Sequence, residues 1–185
     1  MSLLTQIREK AGAFVLKREY AHALRKRKIC NIEAAHNIGI LYYLPDEAAY
    51  DKVSRYVKRL QDRGKTVKAL GFVENKHLTG QFLPKLSYDF LYPSGLSWHM
   101  KPNSATARDF MQKEFDILID LSMDDIIPLI YTLALSKARF KVGMQSDIRA
   151  EYMDMMISLS GRRDLNELIE QLDHYLNELN KKYES

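Results

Sequence analysis

Apolar positions in this chain gather into short runs divided by polar turns, and the densest set lies at 115–143, FDILIDLS-MDDIIPLIYTLALSKA-RFKVG. Residues 115–121 form an apolar run with one acid near its end, Asp120. Residues 126–135 are apolar nearly all round and carry no charge. Residues 139–143 make a second short run, closed by Gly143. A helix with no polar side must be covered on most of its surface. A strand without strict alternation is covered on both faces. The pattern therefore predicts strand, helix, strand: a βαβ unit at the heart of a doubly wound sheet.

The same unit recurs earlier. Residues 37–44 (NIGILYYL) are β-branched and aromatic, as strands prefer, and Pro45 ends them. A helix follows to about position 63, with Ala49, Val53, Tyr56, Val57 and Leu60 at helical spacing and Gly64 as its stop. Residues 66–73 predict the second strand and 87–92 the third. Residues 74–86, with Gly80 and Pro84, predict a loop, and 93–102 an irregular segment holding Trp98, His99 and Lys101. A helix at 104–113 leads into the central unit. Beyond it come a polar loop (144–152), a last strand (153–159), a turn (161–164) and a closing helix (165–181). That helix has an apolar stripe of Leu165, Leu168, Ile169, Leu172, Leu176 and Leu179. The expected fold is α/β: a Rossmann-like, doubly wound, mostly parallel sheet of five to six strands flanked by helices. It is preceded by a basic N-terminal helix.

That leader occupies 1–30, ahead of a single domain at 31–185. Leu3, Leu4, Ile7, Ala11, Phe14, Val15 and Leu16 predict one helix over 3–27, with a bend possible at Gly12. Eight basic and two acidic residues give the first thirty positions a net +6 within a chain of net +4, so the remainder is slightly acidic. The densest cluster is Arg25, Lys26, Arg27 and Lys28. The plain expectation is a helix whose apolar stripe packs on the domain or on a second copy. The sharper ones are contact with nucleic acid phosphates or with an anionic membrane surface.

Composition narrows the class. The chain has 185 residues, 46% hydrophobic and 28% charged, as an ordinary globular domain does. No apolar stretch reaches the roughly 20 residues that span a bilayer. One cysteine, Cys30, excludes an internal disulfide and a cysteine-rich zinc site. A cytoplasmic location is the default for such a chain.

Ligands of open α/β sheets bind beyond the carboxyl ends of the strands. The candidate ligand site is therefore Asp46 after the first strand, Trp98, His99 and Lys101 after the third, and Asp120, Ser122 and Asp124 after the fourth. Converging carboxylates, Asp125 included, could take Mg²⁺. The plainer reading makes Ser122 or Asp124 a helix cap and Trp98 a plug in the core. His22, His36, His77 and His174 lack metal-ligand spacing, Cys30 reads as an inert thiol, and no cofactor or metal is predicted. The glycine-rich dinucleotide fingerprint, the P-loop and the nucleophile elbow are all missing; the first strand runs into YYLPDEAAY.

The motifs K-x-L-G-F-V at 68–73, L-P-K-L-x-x-D-F at 83–90, F-D-I-L-I-D-L-S with A-L-S-K-A-R-F-K-V-G at 115–143, and D-H-Y-L at 173–176 resemble a family of small uncharacterised bacterial proteins. The resemblance covers nearly the whole chain and implies the fold without an activity. A fainter likeness, at the level of fold, is to the N-terminal domain of heptosyltransferase-type glycosyltransferases. There a catalytic aspartate stands where Asp46 stands here. The expected function is a non-catalytic binding or accessory domain that meets a protein partner or itself through the leader and closing helices. The rivals are a small enzyme or ligand-binding domain using the strand ends, and a polyanion binder using positions 25–28.

Overall fold

The structure, a computed structural model, describes residues 3–74, 84–159 and 164–179. Most of the predicted loop at 74–86, with His77 and Gly80, lies outside them. So do 161–163 of the predicted turn and the end of the closing helix. Among the described residues, six strands form one sheet: β1 (Asn37–Tyr43), β2 (Thr66–Phe72), β3 (Tyr88–Leu91), β4 (Ile117–Asp120), β5 (Phe140–Met144) and β6 (Met155–Ile157). Every pairing is parallel, in the order β3-β2-β1-β4-β5-β6. The helices are α1 (Leu3–Tyr20), α2 (Glu47–Asp62), α3 (Ala105–Gln112), α4 (Ile127–Leu135) and α5 (Leu165–Glu178).

Local chemistry sets the element ends. Asp46 Oδ1 accepts the Ala49 N–H at 2.8 Å and opens α2. Gly64, at φ +76°, turns the chain out of α2 through the left-handed region that glycine enters without steric cost. Ser104 caps α3 through the Ala107 N–H at 3.1 Å.

Two apolar layers follow. Val53, Tyr56 and Leu60 of α2 join Leu168, Leu172 and Leu176 of α5 over one face of the sheet. Leu129, Ile130 and Leu133 of α4 join Ala107 and Phe110 of α3 over the other. Helix α1 packs outside α4. The uncharged helix is thus covered by sheet, α3 and α1, and residues Pro128 to Ala134 are all buried. The β1–α2–β2 and β4–α4–β5 crossovers use opposite faces, so the winding reverses between β1 and β4.

The leader differs from its expectation in two ways. Helix α1 ends at Tyr20, not near 27. There the Tyr20 ring meets Tyr152 edge-on at 4.8 Å and its hydroxyl donates to the Glu151 carbonyl at 3.1 Å. Residues 21–36 then run as an irregular strap held by tertiary bonds: Lys28 N–H to the Arg139 carbonyl (3.0 Å) and Ile32 N–H to the Leu176 carbonyl (3.2 Å). The second difference is which side of α1 docks. The domain takes Gly12 and Leu16, while Leu3, Leu4, Ile7 and Phe14 stay exposed. Gly12 explains the choice: a Cβ there would lie 2.6 Å from the His99 carbonyl oxygen, so only glycine admits this approach. The Tyr131 hydroxyl donates to the Gly12 carbonyl at 2.8 Å and fixes the seat.

Candidate functional site

The reversal point carries a cleft. Tyr43, Asp46, Lys52, Met123, Asp124 and Leu165 border a space of about 290 Å³ beyond the carboxyl ends of β1 and β4. Asp46 is occupied as the α2 cap. Lys52 Nζ lies 3.2 Å from Asp164 Oδ2 at the rim. Asp164 also caps α5, accepting the Asn166 N–H at 2.8 Å; the Lys52 bond and this cap hold its carboxyl below the usual range. Of the predicted strand-end residues, the cleft gathers Asp46 and Asp124 only.

Asp120 and Ser122 turn elsewhere. Asp120 Oδ2 pairs with Arg149 Nη1 at 2.9 Å, both side chains almost wholly buried, and Asp120 Oδ1 accepts the Ser122 N–H at 2.9 Å. Arg149 Nη1 also donates to the Ser122 carbonyl (2.9 Å), and Nε to Asp125 Oδ1 (2.8 Å). Ser146 Oγ donates to the same Asp125 oxygen at 2.7 Å. This network ties the loop after β4 to the loop after β5. It also overturns the capping expectation. The cap position of α4 is Ile126, with no side-chain bond; Pro128 takes the first turn, and Asp125 is claimed by Arg149 and Ser146. Arg149 gave no signal in the sequence, because a lone arginine in a polar loop looks solvated.

Trp98, His99 and Lys101 lie on the α1 side of the sheet, whereas the cleft lies on the α2–α5 side. They hold the leader. Arg8 Nε donates to the Trp98 carbonyl at 2.6 Å. Lys101 Nζ bonds both oxygens of Glu19, at 2.8 and 2.7 Å. The indole of Trp98 is 64% exposed, so it does not plug the core. Its loop folds back on itself, with the Met100 N–H on the Ser97 carbonyl, and lifts the side chain outward.

The basic cluster is divided as well. Arg25 is structural: Nη1 donates to the Ala138 and Arg139 carbonyls at 3.2 and 3.1 Å, and Nη2 meets Asp154 at 2.5 Å. Arg27 Nε stands 3.7 Å from the same Asp154, while Lys26, Arg27 and Lys28 remain exposed. A second buried cation escaped the sequence reading. Lys141 of β5 points its Nζ at the last carbonyls of α4, Leu133 (2.5 Å) and Ala134 (3.0 Å). Burial, with Arg25 nearby, pushes its ammonium down to about 7, against the pull of Asp154. Cys30 is half-buried, and burial pushes its thiol up, as for an unreactive cysteine.

The outward face of α1 keeps a group of apolar side chains in water. Leu3, Leu4, Ile7 and Phe14 of α1 are 73%, 72%, 50% and 73% exposed. The closing helix has no such face, because Leu168, Ile169, Leu172 and Leu176 are buried. Among the described residues, no cluster of three His, Cys, Asp or Glu could hold a metal ion, and no helix is long and apolar enough to cross a membrane. Comparison with curated proteins finds no match. A family model, that of the family of unknown function DUF6913, matches residues 8–179, which take in every strand of the sheet, most of the leader and all the motifs noted in the sequence. The chain belongs to that family.

Proposed function

We propose that this protein is a non-catalytic binding module whose working surface is the outward face of α1. The supporting observation is the contrast within that helix. One side is fastened to the domain by Gly12, Leu16, Glu19 and Tyr20, and the other presents Leu3, Leu4, Ile7 and Phe14 to solvent. A docked helix that keeps large apolar side chains in water marks an interaction surface. The polar residues at the strand ends favour a structural over a catalytic role: Asp46 caps, Asp120 neutralises Arg149, and Lys101 holds Glu19. Hydroxyl-radical footprinting tests the reading. Ile7, Phe14 and Trp98 should label more slowly in cells than in the purified protein. Equal labelling in both would end it.

A second reading, a small-molecule site, is favoured by the position of the 290 Å³ cleft at the winding reversal, where such folds take ligands. A ligand seated there would move the NMR signals of Lys52 and Met123. A metabolite screen that leaves both in place removes this reading.

A further inference from the structure

We propose that the outward face of α1 docks on an anionic lipid surface; the inference rests on the binding-module reading and names the partner of the same face. The ridge has the shape for it. At 3.6 residues per turn, positions 3, 4, 7 and 14 fall within a sector of about 100° and extend along about 16 Å of helix. The ridge is convex and lies on the outermost layer, so a flat surface reaches all of it.

Charge selects the sign of that surface. Lys10 and Lys17 line one edge of the ridge, Arg8 lies at the other, and Arg18 continues it toward the C-terminus; all four are exposed. Among the described residues, no carboxylate oxygen lies within 4.0 Å of the charged nitrogens of Lys10, Lys17 or Arg18, although Asp147 and Glu151 border the groove that Lys10 and Lys17 line. Of the two acids of α1, Glu19 is bound by Lys101, and Glu9 is half-buried in the groove at the foot of the helix, off the ridge. The long stems of Lys10, Lys17 and Arg18 can lie along an apolar interface while their heads reach phosphate. Trp98, fastened beside the helix by Arg8, brings an exposed indole, a side chain suited to the boundary between acyl chains and headgroups. An interface with a second copy would press these cations against themselves, since a two-fold contact meets its own surface. A bilayer needs no matching groove and supplies both the apolar layer and the negative charge.

The single tryptophan makes the test direct. The full chain is mixed with vesicles of pure phosphatidylcholine, and with vesicles of equal parts phosphatidylcholine and phosphatidylglycerol. Co-sedimentation and Trp98 emission are read. The expected result is sedimentation and a blue shift with the mixed vesicles only, both reversed by high salt. Ile7→Ser with Phe14→Ser should weaken binding about tenfold or more, from the lost apolar burial. Lys10→Gln, Lys17→Gln and Arg18→Gln together should weaken it on the order of a hundredfold. All five side chains are outward or at the ridge, and unchanged thermal unfolding will verify the fold of each variant. No sedimentation with the mixed vesicles overturns the proposal. So does equal binding to both vesicle types, or binding that survives the loss of Ile7 and Phe14, which would indicate loose attraction to any polyanion. A dimer in solution that protects Phe14 also overturns it, in favour of self-association. Protection of α1 in cells without vesicle binding removes the lipid and leaves the binding module with a protein partner.

Discussion

Asp120 looks like a site residue because it ends a central strand, and it is instead half of a buried ion pair. Taking one charge from such a pair leaves the other without compensation, which costs about 3–5 kcal/mol. Arg149→Met should therefore lower the unfolding free energy by about that much. Arg149→Met with Asp120→Leu should recover part of the loss: no charge is left buried and Asp125 keeps its Ser146 hydroxyl, but the Ser122 N–H and carbonyl lose their partners. Urea midpoints for the three proteins decide it; a double variant no better than the single would mean the pair does more than neutralise itself. Lys141 makes the companion case. Below about pH 7 both folded and unfolded chains carry its proton. Between there and the ordinary lysine value of about 10.4 only the unfolded chain does. The unfolded state then binds more protons, so this group makes stability rise with pH across that window. Lys141→Met should lack that rise. Parallel slopes for wild type and variant between pH 7 and pH 10 would contradict the assignment.

At the scale of elements, Gly12 decides how the leader sits. Its missing Cβ lets α1 approach the His99 carbonyl, and a side chain there would meet backbone that cannot swing away. Gly12→Val should undock α1 while the sheet stands. Hydrogen exchange will read this as lost protection over Leu3–Tyr20 with β1, β4 and β5 unchanged. Retained protection of α1 would show that the bonds of Glu19 and Tyr20 suffice. The same element shows why the leader was only half legible. Its apolar residues spread over two faces, one with Leu16 and the other with Phe14, and spacing alone merges them into a single stripe. Ala21, Ala23 and Leu24 continue the helical spacing past Tyr20 only weakly, and beyond them Arg25 does better bonding the Ala138 and Arg139 carbonyls than extending the helix.

For the whole molecule, the order β3-β2-β1-β4-β5-β6 puts α2 and α5 on one face and α1, α3 and α4 on the other. That division is why the predicted site residues do not converge. Asp46 and Asp124 reach the cleft from the α2 side. Trp98 and Lys101, from a loop at the far side, reach α1 instead. The sheet core stands between them. The outward cations and apolar ridge of α1 belong to this scale too, because they are a surface only once the helix is docked.

Runs of apolar residues, their periods and their stops determined the fold class. An uncharged helix such as α4 and the unalternating strands beside it have no stable place except inside layers, and that constraint acts locally. The caps at Asp46 and Ser104 and the turn at Gly64 were set the same way, by bonds and torsions within a few residues. Tertiary structure alone decided which charges are neutralised, which face of α1 is hidden and which strand-end residues share a cleft. Those outcomes depend on partners distant in sequence: Arg149 for Asp120, His99 for Gly12, Lys101 for Glu19. A chain read in one dimension carries the demand for such partners, and only the packed molecule settles which ones meet it.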